Sequence, residues 1–182
     1  PALRKSLGVF YTPVQAVQYL ISFVDKILVE DFAIEGGLSN NEQITAKVPC
    51  APYKITKNKW SDEMTISVPR VAILDPACGT GSFGAEIIKY IKNTYFSGAR
   101  SVFYENYIQQ ENGLLSRLIG FEIMMTSYVV AHLKIRRTID ETLGHLPTTQ
   151  LPTNIFLTNT LTPPMSDLER GEQLTLFDFS AA

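Results

Sequence analysis

The run Val71-Ala72-Ile73-Leu74 stops at an acid, Asp75, and opens directly into Pro76-Ala77-Cys78-Gly79-Thr80-Gly81. A short, continuous apolar run has no polar face to offer water, so it reads as a strand buried in a parallel sheet. Helical periodicity begins just beyond the glycines, near Ser82, with Phe83, Ile87, Ile88 and Ile91 on one face. Leu118-Ile119-Gly120-Phe121, ending at Glu122, repeats the strand signature. A helix is predicted from Met124 to Leu143, with Met125, Val129, His132 and Leu133 toward its buried side. A proline-bearing loop, 146–152, leads to a third run, Ile155-Phe156-Leu157-Thr158, which ends at Asn159. This alternation predicts an α/β fold with right-handed crossovers and a parallel sheet covered on both faces. A complete doubly wound sheet uses more than three strands, so the predicted fold is incomplete toward the C-terminus.

Ahead of this core (71–161), residues 1–37 carry an N-terminal motif and helix. The helix is predicted from Pro13 to about Phe32, with Val17, Leu20, Ile21, Val24, Ile27 and Leu28 at helical spacing. Thr12 suits its N-cap, Pro13 its first position, and Gln15 completes a capping box. Residues 38–70 form an irregular insert, with a β-hairpin predicted to turn near Lys57-Asn58-Lys59. The insert is assigned no chemistry, and its Trp60 no function. Residues 162–182 read as a polar tail without regular structure, whose Leu174, Leu176, Phe177 and Phe179 could dock elsewhere.

Charge and composition narrow the function classes. A net charge of −2 lacks the basic surface of a self-sufficient duplex-binding domain. No apolar run is long enough to span a bilayer, and no secretory signal pattern is present. Two cysteines, Cys50 and Cys78, are too few for a disulfide framework, and no Cys/His cluster has metal-ligand spacing. A cytoplasmic location is expected.

In an open α/β sheet, ligands bind beyond the carboxyl ends of the strands. All three predicted strands end in hydrogen-bond acceptors: Asp75, Glu122 and Asn159. Gly79 and Gly81 permit close backbone approach, and the helix after them offers free N–H groups. The pattern suits a nucleoside with a charged tail. Glu122 would accept the ribose hydroxyls, Asn159 would meet the adenine edge, Ile123 would press on its face, and Asp75 would orient an ammonium. Gly79-Thr80-Gly81-Ser82-Phe83-Gly84 also matches the dinucleotide fingerprint G-x-G-x-x-G. In that fingerprint an acid follows about 20 positions on, whereas Glu122 lies 38 positions after Gly84. Cys78 reads as a packing residue rather than a nucleophile, His132 as a structural histidine, and Lys134, Arg136 and Arg137 as cations near a helix C-terminus.

Asp75-Pro76-Ala77-Cys78-Gly79-Thr80-Gly81-Ser82-Phe83 resembles the first motif of adenine-specific DNA methyltransferases of restriction–modification systems. Gly8-Val9-Phe10-Tyr11-Thr12-Pro13 is similar to the motif placed before it in the gamma-type order. Gly120-Phe121-Glu122-Ile123 resembles the second motif, and Phe156-Leu157-Thr158-Asn159-Thr160-Leu161 the third, as in type IIG enzymes. The resemblance covers residues 8–161 in the expected order and implies a Rossmann-like S-adenosylmethionine-dependent methyltransferase fold. It implies that Asp75, Pro76, Ala77, Cys78, Gly79, Gly81 and Phe83 form the methionyl cradle, with Tyr11, Thr12 and Pro13 closing over it. Glu122 would hold the ribose, Ile123 the adenine face and Asn159 the adenine edge, with Thr160 also among the cofactor-binding residues. Asn159 stands where many relatives carry Asp; either side chain accepts from the amine.

The family's catalytic Asn/Asp-Pro-Pro-Tyr/Phe is absent. Thr162-Pro163-Pro164-Met165 shares only its prolines, with no strand before it, no amide and no aromatic. The resemblance therefore implies the cofactor-binding part of a longer enzyme, with no catalytic residue in this segment and no metal. Double-stranded DNA would be engaged through the full-length protein, weakly or not at all by this segment. Two other readings stand beside it: an NAD- or flavin-binding oxidoreductase fragment, and an interaction module without a working pocket.

Overall fold

The computed structural model describes residues 12–56, 59–110, 112–145 and 153–159. The expected turn residues Lys57 and Asn58, the loop 146–152, the tail 162–182, and the site residues Tyr11 and Thr160 lie outside these.

Helix α1 (Val14–Glu30) starts one residue later than predicted. Pro13 is its N-cap, with ψ 140°, and no side chain caps it. The Pro13 carbonyl instead accepts the N–H groups of Ala16 and Val17. The capping box expected from Thr12 and Gln15 does not form, because Thr12 lies a residue too far from the free N–H groups. The buried stripe is Val17, Ile21 and Asp25, while Leu20 and Val24 face out. Asp25 takes a core position because three donors converge on it. Its carboxylate accepts the Leu38 N–H at 2.7 Å and the Tyr90 and Tyr95 hydroxyls at 2.9 and 2.7 Å. Gly37, at φ 46°, belongs to this arrangement, since a β-carbon there would collide with the Asp25 carboxylate.

The insert is a two-stranded antiparallel ribbon, β1 (Gln43–Thr56) and β2 (Lys59–Pro69), with register irregularities beyond Pro49. It forms a sheet of its own. Then come β3 (Ile73–Asp75), α2 (Ser82–Tyr95), α3 (Tyr104–Gln109), α4 (Leu114–Arg117), β4 (Leu118–Glu122), α5 (Met125–Leu143) and β5 (Asn154–Leu157). Strands β3, β4 and β5 lie side by side in that order, all parallel, with Asp75 opposite Gly120 and Glu122 opposite Leu157.

Among the described residues, helices cover one face of the sheet. Consecutive strands that advance in one direction through right-handed crossovers send both crossover helices to the same side. Accordingly α2 and α5 pack on each other and on the face holding Leu118 and Gly120. On the opposite face Leu74 is 57% exposed and Phe156 50%, with the Phe121 ring 6.0 Å from that of Phe156. Strand β3 is thus not fully buried. The core lies between α1, α2, α3 and the covered face, around Val17, Ile88, Ile91, Tyr104, Ile108 and Leu114.

Helix α5 also turns a different face inward. Its buried residues are Ala131, Ile135, Thr138 and Ile139, while Met125, Val129 and Leu133 are exposed, Leu133 at 66%. The reason is the glycine turn. A β-carbon on Gly81 would lie 3.2 Å from Ala131 Cα, so the helix can approach only with a small residue there. His132 is half-buried, as a structural histidine should be: Nδ1 meets the Thr153 hydroxyl and the ring abuts Tyr128. Its Nε2, however, is buried with no partner among the described residues.

A strand-end rim around the glycine turn

Because the three strands are parallel, their carboxyl ends share one edge. Asp75 closes β3 and Glu122 closes β4, while Thr158 and Asn159 follow β5. The turn is clipped to this edge by the Cys78 N–H, which donates to Phe121 O at 2.9 Å. Thr158 N–H donates to Glu122 O at 2.8 Å and holds the third strand end beside the second. The Glu122 side chain is buried, and its Oε1 accepts the Met124 N–H at 2.7 Å. Ile123 is 63% exposed, an apolar surface directly after the acid.

Gly79 and Gly81 both have positive φ, 56° and 73°. A β-carbon on Gly79 would meet nothing within 4 Å, so that side of the turn opens to a ligand. The Gly81 side is pressed against α5. Lys134 secures the turn further: its ammonium donates to Ser82 Oγ at 2.9 Å and lies 3.4 Å from Thr80 Oγ1. Sequence reasoning placed Lys134 among cations near a helix end; it sits mid-helix and ties α5 to the glycine turn.

Asp75 carries an unanswered acceptor at this edge. Its Oδ1 accepts the Ala77 N–H at 3.3 Å, but its Oδ2 is buried with no partner among the described residues. Burial pushes its pKa up, the Ala77 hydrogen bond works the other way, and the negative Glu122 adds to the rise. An orphaned, buried carboxylate oxygen fits a ligand cation. The sign of the pH effect follows. With the folded pKa raised, this group's favourable contribution is complete below the ordinary carboxylate range and is lost as pH rises through the raised value. Asp75→Asn is therefore expected to raise the melting temperature by a few degrees at pH 7 and to give little gain near pH 4; thermal melts at the two pH values check this.

The Cys78 thiol, buried beneath Gly120, is pushed up to about 11 by burial and by the charges of Asp75 and Glu122. It stays protonated near neutrality and serves packing. Phe83 is partly buried and packs against the hydrophobic core. Thr12 and Pro13, at the start of α1, are exposed, as are Pro76, Ala77 and Asn159. Beneath the turn, between sheet and helices, lies a cavity of about 20 Å³ lined by Asp75, Cys78, Gly81, Gly120 and Ile135. That volume suits one water; a nucleoside would have to lie above it, across Gly79 and Ile123. Among the described residues no group of His, Cys, Asp and Glu is placed to hold a metal, and no helix is long and apolar enough to cross a membrane.

No family model and no curated protein sequence matches the chain. Among solved structures, a segment of the ATP-dependent Type ISP restriction–modification enzyme LlaBIII, bound to DNA, matches with a TM-score of 0.55 and 23% identity, over 92% of this chain and 9% of that one. A segment of the DrdV–DNA complex matches with a TM-score of 0.50 and 25% identity, over 86% of this chain and 11% of that one. A nuclease-deletion mutant of the Type ISP enzyme LlaGI, in complex with a DNA substrate mimic, gives 0.46 and 23%, over 73% and 9%. The chain spans about a tenth of the length of these structures. By fold, the chain is similar to a segment found within a much longer restriction–modification enzyme.

Proposed function

We propose that this chain is the S-adenosylmethionine-binding part of a site-specific DNA adenine N6-methyltransferase of a restriction–modification system, with a Rossmann-like methyltransferase fold. The observation that carries the reading is the shared edge of β3, β4 and β5, where Asp75, Glu122 and Asn159 follow one another across adjacent strand ends. The motif order from residue 8 to 161 and the likeness to part of a restriction–modification enzyme support it.

In this reading the open side of Gly79 and the unpartnered Asp75 oxygen receive the amino-acid end of the cofactor. Glu122 holds the ribose, Ile123 covers the adenine, and Asn159 accepts from the adenine amine. When bound, S-adenosylmethionine supplies an electrophilic methyl group on sulfur. This chain's residues hold the donor in a fixed position, and catalysis comes mainly from that alignment with the target amine. The target base leaves the duplex to reach it. The groups that grip that base belong to the longer enzyme, as does most of its hold on double-stranded DNA.

Calorimetry with S-adenosylmethionine is expected to show binding that Glu122→Ala weakens by about tenfold or more, the cost of a hydrogen bond to a charged group. Absence of heat and of any melting shift at millimolar ligand, both here and in a longer chain carrying the strands that follow, removes the reading. Tighter binding of NAD than of S-adenosylmethionine would replace it with an oxidoreductase.

A further inference from the structure

The described residues of the ribbon β1/β2 contribute nothing to the core. None of residues 43–49 and 63–69 is buried, and the ribbon's extensive contacts are within itself. A two-stranded ribbon is marginal alone, yet this one is anchored at considerable cost. Arg117, only 1% exposed, donates to Leu38 O on one side of the insert and Val71 O on the other, so that its guanidinium closes the base. The Arg70–Glu42 pair at 2.7 Å closes it again. At about 3.3 Å per residue, the 11 residues of β2 extend roughly 35 Å.

Residues 43–69 carry four lysines against two acids, on a chain whose net charge is −2. Lys47, nearer the base, pairs with Glu63. Toward the tip, the backbone register sets Lys54 opposite Trp60, Thr56 opposite Lys59 and Tyr53 opposite Ser61, and no acid lies between Pro49 and Ser61 in sequence. Clustered cations without intervening acids are the composition that follows a nucleic-acid backbone. A two-stranded ribbon also fits the major groove of a duplex, about 12 Å wide.

We propose that this ribbon is an arm that grips the phosphate backbone of duplex DNA. The arm springs from the amino-terminal edge of the parallel sheet, where Val71 leads into β3 and Arg117 into β4. The ligand rim is the opposite edge. The contact is therefore separate from the cofactor site and does not rest on the methyl-transfer reading.

The test is fluorescence anisotropy with a short labelled duplex, titrated across a salt series. The unaltered chain is expected to bind weakly, in the micromolar range at low salt. Lys54→Ala/Lys59→Ala should weaken binding about tenfold and lower the slope of log affinity against log salt by about 2, one per lost phosphate contact. Lys26→Ala, which removes a cation from α1, should leave both unchanged. If the alanine pair melts lower than the parent, Lys54→Gln/Lys59→Gln repeats the measurement. No binding by the parent, or an unchanged affinity and slope in the double variant, overturns the proposal. Equal affinity for polyglutamate and duplex overturns it in favour of an acidic protein partner. Heat from S-adenosylmethionine should be the same in parent and variant, so failure of the arm and failure of the cofactor reading are told apart.

Discussion

Arg117→Met should lower the melting temperature by roughly 6–12 °C, the response of a chain this size to about 3 kcal/mol. Arg117 is fully buried and its named partners are neutral: Val71 O at 3.2 Å, Leu38 O at 2.6 Å and the Tyr107 hydroxyl. Methionine fills similar space but leaves two carbonyls and a phenol without their donor, and unsatisfied buried groups cost far more than a hydrogen bond gains. Lysine should not rescue the loss, because a compact ammonium cannot span acceptors that the planar guanidinium reaches together. The ribbon should loosen as well, since its two ends meet at this side chain. Limited proteolysis should then cut within residues 43–69 several times faster than in the parent. A melting temperature within a degree or two of the parent would show that the clamp does not hold the insert.

The two glycines of the turn should fail in different ways. Gly81→Ala places a methyl group 3.2 Å from Ala131 Cα and 3.3 Å from Ala131 O, and backbone cannot yield as a side chain can. The left-handed conformation at φ 73° adds about 1–2 kcal/mol. Helix α5 must move off the turn, taking with it the Lys134 contacts to Ser82 and Thr80. Melting temperature should fall and, on the proposed reading, affinity for S-adenosylmethionine should fall with it, by about tenfold or more. Gly79→Ala carries the conformational cost but meets nothing within 4 Å. It should melt closer to the parent, yet lose affinity because its methyl group stands on the ligand's side. Melts and calorimetry on the pair separate the two effects; equal melting temperatures would contradict the close packing on α5.

What was readable along the chain was local. The apolar runs around 73–75, 118–122 and 154–157, the glycine turn and the inner face of α2 all declare themselves within a few residues. Backbone period and turn chemistry act at that range. The candidate rim was legible for the same reason: parallel strands must bring their carboxyl ends to one edge, so Asp75, Glu122 and Asn159 could be expected there without knowing what packs beneath.

Charge burial was not legible. Nothing near Asp25 or Arg117 in sequence answers their charge; their partners stand 13, 65 and 70 residues away for Asp25, and 46 and 79 away for the two carbonyls on Arg117. The buried side of α5 holds Ala131, Ile135, Thr138 and Ile139 and leaves the larger Met125 and Leu133 exposed. Contact with the Gly81 turn required the small Ala131 instead. Sequence by itself determined the three parallel strands, the helices that follow the first two, and the edge at which the strands' carboxyl ends meet, since those follow from short-range periodicity. Only the tertiary structure decided which face of the sheet is covered, which charges are buried and how the ribbon is anchored. Those depend on which distant groups meet, and desolvation makes each such meeting favourable only when every partner is in place.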